Sequence, residues 1–168
     1  MYRKILAALG HEPSRRIIFE RALEPAIQDK AKLLLVHVLN SEDVVPIKPA
    51  PSHDFFVGQS AYGSYWQSHE TARRKSAEWL DTFVQEAKEA GVDAQYVIHD
   101  MSPERVLQMQ ADNWEADLIV VGDHGSSNRS ISNYVLHNAH CTVLVLPMGS
   151  TENRAGEATK PTLQSSAY

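Results

Sequence analysis

The chain has 168 residues, 43% hydrophobic and 22% charged, which suits one globular domain and excludes a largely disordered chain. Sixteen Lys and Arg stand against 21 Asp and Glu, and the formal net charge of -5 argues against a general affinity for nucleic-acid backbones. A single cysteine, Cys141, rules out an internal disulfide framework and fits a reducing compartment.

Near the N-terminus, Ile5 to Leu9 is a continuous apolar run followed by Gly10. It is too short for a membrane span or a signal peptide's apolar region, so it reads as a strand covered on both faces. The expected location is cytoplasmic, with neither membrane nor nucleic acid as partner. Pro13-Ser14 opens a helical stretch to about Asp29, with Ile17, Ile18, Phe19, Ala22, Leu23, Ala26 and Ile27 on its apolar side. Pro25 is expected to kink or shorten it.

Leu33 to Leu39 reads as the second buried strand. Residues 40–67 carry Pro46, Pro49, Pro51, Gly58 and Gly63 among the aromatics Phe55, Phe56, Tyr62, Tyr65 and Trp66, and read as a long loop. Its aromatics are expected to tuck onto the domain, with a lid or a partner surface as alternatives. Ser68 to Ala90 is the clearest helix, with Trp79, Leu80, Phe83, Val84 and Ala87 at helical spacing and Gly91 as its stop.

Val92 to His99 reads as a third strand, and Ser102-Pro103-Glu104 as the start of a third helix with Ser102 as N-cap. Ala116 to Gly122 is the fourth strand, Ser130 to Ala139 a short helix, and Cys141 to Pro147 the last strand. Residues 149–168 are polar and read as a disordered tail after a domain spanning 1–148. Strand and helix alternate throughout, which predicts a doubly wound α/β fold with a parallel sheet. In such sheets ligands sit beyond the carboxyl ends of the strands at the switch point. Here that rim carries the loops after Leu9, Val38 and Val121.

The last of these loops runs Gly122-Asp123-His124-Gly125-Ser126-Ser127-Asn128-Arg129-Ser130. Its two glycines let a backbone approach a ligand, the helix from Ser130 or Ile131 adds its N-terminal dipole, and Arg129 offers charge to a phosphate. Spacing alone favours a plain strand-to-helix turn. Of the eight histidines, none has metal-ligand spacing, so no metal is expected. His37 reads as a satisfied structural histidine, His11 and His124 as rim residues able to converge, and His137 and His140 as an i, i+3 pair lacking a third ligand. Ser126, Ser127 and Ser130 read as helix caps rather than nucleophiles, so no catalytic residue is assigned. Cys141 reads as a small hydrophobe.

Taken in order, these segments resemble the universal stress protein family. Ile5-Leu6-Ala7-Ala8-Leu9 and Leu35-Val36-His37-Val38 are similar to its first two strands, and Ser102-Pro103-Glu104 to the turn before its third helix. Ala116 to Gly125 is similar to its most recognisable segment, and Ser132 to Leu146 to its closing helix and strand. The resemblance implies a five-stranded parallel sheet of order 3-2-1-4-5 in an adenine nucleotide alpha hydrolase-like three-layer sandwich. It implies a regulatory protein of the stress response that does not turn over a substrate. The alternative it implies is an ATP or adenine nucleotide binder, or a weak nucleotide hydrolase.

The nucleotide candidates are Leu9, Gly10, Val38, Val121, Gly122, His124, Gly125, Arg129, Ser130 and Ile131. Two departures from the family pattern count against ATP. ATP-binding members place roughly nine residues between the second glycine and a Gly-Ser or Gly-Thr pair; here only Ser126, Ser127 and Asn128 separate Gly125 from Arg129-Ser130. Gly10 also stands where the family usually has an aspartate. The resemblance further implies a homodimer paired through Val143, Leu144, Val145 and Leu146, and an unpaired apolar edge strand would favour such pairing.

Overall fold

Each apolar run of the sequence forms a strand, and all the strands run parallel. The computed structural model describes residues 1–11, 13–39, 57–123 and 131–148. In chain order these form β1 (Lys4–Leu9), α1 (Ser14–Asp29), β2 (Lys32–Val38), α2 (Val57–Glu89), β3 (Ala94–His99), α3 (Pro103–Trp114), β4 (Leu118–Asp123), α4 (Ile131–Asn138) and β5 (Thr142–Pro147). The sheet has the order β3-β2-β1-β4-β5, as the resemblance implied. The expected tail, 149–168, lies outside the described residues.

The register sorts side chains onto two faces. Lys4 pairs with Lys32 and Leu9 with His37 at the two ends of the β1–β2 ladder, and Ile5 to Ala7 pair with Leu118 to Val120. Alternation then sends Ile5, Ala7, Leu9, Leu33, Leu35, Leu118 and Val120 against α1 and α2. Leu6, Leu34, Val36, Ile119 and Val121 pack against α3 and α4. On the first face Phe19 of α1 stacks on Phe83 of α2, with centroids 4.6 Å apart. Arg16 grips Glu86 with two hydrogen bonds of 2.7 and 2.9 Å, closing the seam between these helices.

One expectation needs correction and two need refinement. Residues 57–67 are not loop but the start of α2, which spans 33 residues. An established helix extends at little nucleation cost, so Gly58 and Gly63 weaken this end without ending it. Pro25 does not shorten α1, which continues to Asp29 and closes at Lys30 in the left-handed region. Near a helix end a proline removes only one or two bonds. Ser102 is the N-cap residue of α3, in extended conformation, although its side chain makes no capping hydrogen bond.

One carboxylate fixes the start of the central strand. Asp117, just before β4, accepts the backbone N–H groups of Arg3 at 2.6 Å and Lys4 at 2.9 Å. The Arg3 amide, and then that of Lys4, hold its carboxyl below the usual range against the opposing effect of burial. Asp117→Ala is expected to cost about 1–2 kcal/mol in urea unfolding at neutral pH. The folded pKa lies below the unfolded one, so this stabilisation is present above about pH 4 and lost as pH falls through the lowered value. The gap between wild type and variant should therefore narrow on acidification, and a gap that widens would contradict the assignment.

Candidate functional site

The carboxyl ends of β1, β2 and β4 are neighbours in the sheet, so the three loops singled out from the sequence leave one rim together. Leu9 and Val121 are buried there, so neither presents an exposed side chain at the rim. Val38 is half-buried, and Ile131 is exposed at the first turn of α4. His124, Gly125, Arg129 and Ser130 lie outside the described residues, as do Ser126, Ser127 and Asn128.

His37 organises the rim. Its ring is 3% exposed, and Nδ1 donates to the Leu9 carbonyl at 2.8 Å. That bond fixes the Nδ1–H tautomer and occupies the carbonyl where β1 ends. The ring meets Trp79 edge-on at 5.0 Å, and the Arg15 guanidinium lies 4.3 Å from the centroid of Trp79. The structural reading of His37 therefore holds.

The two rim glycines differ. A Cβ at Gly10 would meet nothing within 4 Å, so packing does not demand glycine there. A Cβ at Gly122 would stand 3.0 Å from Met148 Cγ and 3.1 Å from Ile18 Cδ1. A side chain at Gly122 would therefore crowd Met148 and Ile18, which close over the end of β4. Met148 is held in turn by its backbone N–H, which donates to the Asp123 carbonyl at 2.7 Å.

Asp123 and Ser132 were not among the sequence candidates. The Ser132 hydroxyl donates to Asp123 Oδ1 at 3.2 Å, tying the end of β4 to the first turn of α4 across the intervening loop. Their separation of nine residues carries no motif, and only the fold brings them together. The carboxylate adds negative charge at the rim.

The other titratable candidates disperse. His137 Nδ1 pairs with the Asn133 carbonyl at 2.8 Å, while His140 Nδ1 lies 3.4 Å from Asp112 Oδ1. The i, i+3 pair therefore serves two separate partners. Burial pushes the Cys141 thiol up, helped by Asp112 and Asp117, which suits an inert packing group. One cleft of about 570 Å³ lies at the opposite, amino rim, lined by residues including Arg3, Lys32, Asp117, His140 and Cys141. Another of about 580 Å³ lies beside β3 and touches Arg73, Arg74, Tyr96, Ile98, His99 and Gln110.

With this geometry in place, comparison with known proteins is decisive. The universal stress protein family profile matches residues 1–147. The chain belongs to the universal stress protein family. It is similar to universal stress protein Sll1388 of Synechocystis, at 29% identity over 156 residues, covering 86% of this chain and 97% of that protein. Its fold matches that of a universal stress protein family protein from Arabidopsis thaliana with AMP bound, at TM-score 0.60 and 21% identity, covering 86% and 91% of the two chains. It also matches a universal stress protein from Archaeoglobus fulgidus in complex with dAMP, at TM-score 0.56 and 18% identity, covering 86% and 97%. Identities at this level establish the shared α/β fold.

The packing at Gly122 is testable. Gly122→Ala is expected to destabilise the protein by about 1–3 kcal/mol through overpacking. Adding Met148→Ala should recover part of that loss, so a double-mutant cycle by thermal or urea unfolding should show coupling between the two positions. Strict additivity would remove Met148 as the cause.

Proposed function

We propose that residues 1–148 form a regulatory domain of the stress response that acts by binding, without turnover, as a cytoplasmic homodimer paired through β5. Family membership supports the role, and the state of β5 carries the dimer. Thr142 and Met148 donate their backbone N–H groups toward β4. Strand alternation then turns the N–H and C=O groups of Val143 and Val145 outward. Leu144 is 38% exposed on this strand, and no charged residue interrupts Thr142 to Pro147. An uncharged edge of this kind favours pairing with its own copy. Among the described residues no helix is long and apolar enough to cross a membrane, which is compatible with the proposed location.

Sedimentation equilibrium tests this reading. The wild-type chain is expected at twice its monomer mass, and Leu144→Asp at the monomer mass with its helical content retained. A wild-type monomer at all accessible concentrations would discard the dimer.

A second reading has its own support. The rim made by Leu9, Gly10, Val38, Val121 and Gly122, with His124, Gly125, Arg129, Ser130 and Ile131 following in sequence, is an adenine nucleotide seat. It is supported by the AMP and dAMP complexes of proteins with the same fold. The short loop leaves fewer backbone N–H donors for distal phosphates, and the Asp123 carboxylate opposes additional negative charge at the rim. AMP is therefore expected to bind more tightly than ATP in calorimetric titration, and ATP is not expected to be hydrolysed. Tighter binding of ATP would overturn the argument from loop length, while no heat with either nucleotide would leave partner binding as the function.

A further inference from the structure

The two edges of the sheet are treated differently. At β3, Leu33 N–H donates to the Asp93 carbonyl at 2.9 Å and Leu39 N–H to the His99 carbonyl at 2.8 Å. Odd-numbered residues of this strand therefore face β2, and Ala94, Tyr96 and Ile98 turn their N–H and C=O groups outward. The strand itself, Ala-Gln-Tyr-Val-Ile-His, is rich in β-formers and carries no acidic, lysine or arginine residue. By sequence it is as open to strand addition as β5.

A side chain from α2 closes it. Arg73 Nη2 donates to the Ile98 carbonyl at 3.2 Å, filling one place in the outward row. Its Nη1 lies 3.5 Å from Asp100 Oδ2, and His69 Nε2 lies 3.3 Å from Asp100 Oδ1. Asp100 thus sits between two side chains of α2, one helical turn apart, and anchors the arginine over the strand end. Glu70 and Arg74 flank it in the cleft beside β3, with Gln110 of α3 across from them. Gln110 donates to His99 Nε2 at 2.8 Å and so ties the far wall to the strand.

We infer that Arg73, anchored by Asp100, is a guard that closes a latent self-association surface on β3, whose partner is a second copy of this chain. A guanidinium on the Ile98 carbonyl occupies the acceptor that an added strand would use. It also sets a charge where an incoming uncharged strand would have to lie. A second copy is the fitting occupant because its β3 offers the same uncharged row of outward N–H and C=O groups. The guard does not depend on β5. Whatever the wild-type assembly is, removing Arg73 adds one further contact per chain.

The test compares Arg73→Ala, Arg73→Lys and Asp100→Ala by light scattering over a concentration series, with hydrogen exchange read at the Tyr96 and Ile98 amides. The alanine variant at 73 is expected to reach at least twice the wild-type mass at high concentration, with both amides slowed. The lysine variant keeps a cation at the edge and should retain the wild-type mass. Asp100→Ala frees the arginine and should raise the mass as well, which keeps the test valid if Arg73→Ala fails to fold. An unchanged mass in both alanine variants, or a rise without protection at Tyr96 and Ile98, would overturn the inference. A monomeric wild type would discard pairing through β5 and leave this comparison intact.

Discussion

The burial of β1 between β2 and β4 is the constraint from which the remaining arrangement follows. Ile5, Leu6 and Ala7 are fully buried, with a ladder on each side and helices on both faces. A strand in that position has no free surface along its length, so any chemistry must be at its ends. The register of its neighbours is fixed at the amino end, where Asp117 takes the amides of Arg3 and Lys4. A slip of one residue would exchange Leu6 with Ile5 and Ala7 between the two cores. Holding one end therefore determines which backbone groups emerge at the other.

Among the described residues at that other end, several polar groups are satisfied from within. The Leu9 carbonyl accepts from His37, Asp123 accepts from Ser132, and Met148 lies over Gly122. A glycine at a strand end can admit a ligand or admit a neighbouring side chain, and at Gly122 the neighbour is present. The rim is thus firm rather than open along β1 and β4.

Much of this fold is legible in the sequence because the strands are unbroken apolar runs, and their alternation with helices leaves few arrangements. The start of α2 was not legible. Gly58, Gly63 and the prolines before them read as punctuation, while the driving factor was continuation from a strong helix beginning further along the chain. Ser102 carried a correct boundary signal through the wrong physics: Pro103 sets the first turn and Glu104 suits its dipole, without a side-chain cap. Gly122 was singled out for backbone approach to a ligand, whereas its contact with Met148 is one that no local pattern connects to it. Asp123, Ser132, Arg73 and Asp100 escaped notice because each has its partner on another element.

The two edge strands show why such residues matter. Neither Ala94 to His99 nor Thr142 to Pro147 contains an acidic residue, lysine or arginine, so charge protection is absent from both strands themselves, and only β5 carries a proline, Pro147, at its end. Charge can then come only from a neighbouring element. The helix α2 leads into β3 and packs on its side of the sheet, bringing Arg73 and His69 to Asp100. The short helix α4 leads into β5 over eight residues, and its last side chains, His137 and Asn138, bond back to α4's own carbonyls. On β3 the long helix supplies Arg73 to the Ile98 carbonyl in the outward row. A helix of 33 residues has a flank to spare for its strand, whereas one of eight does not.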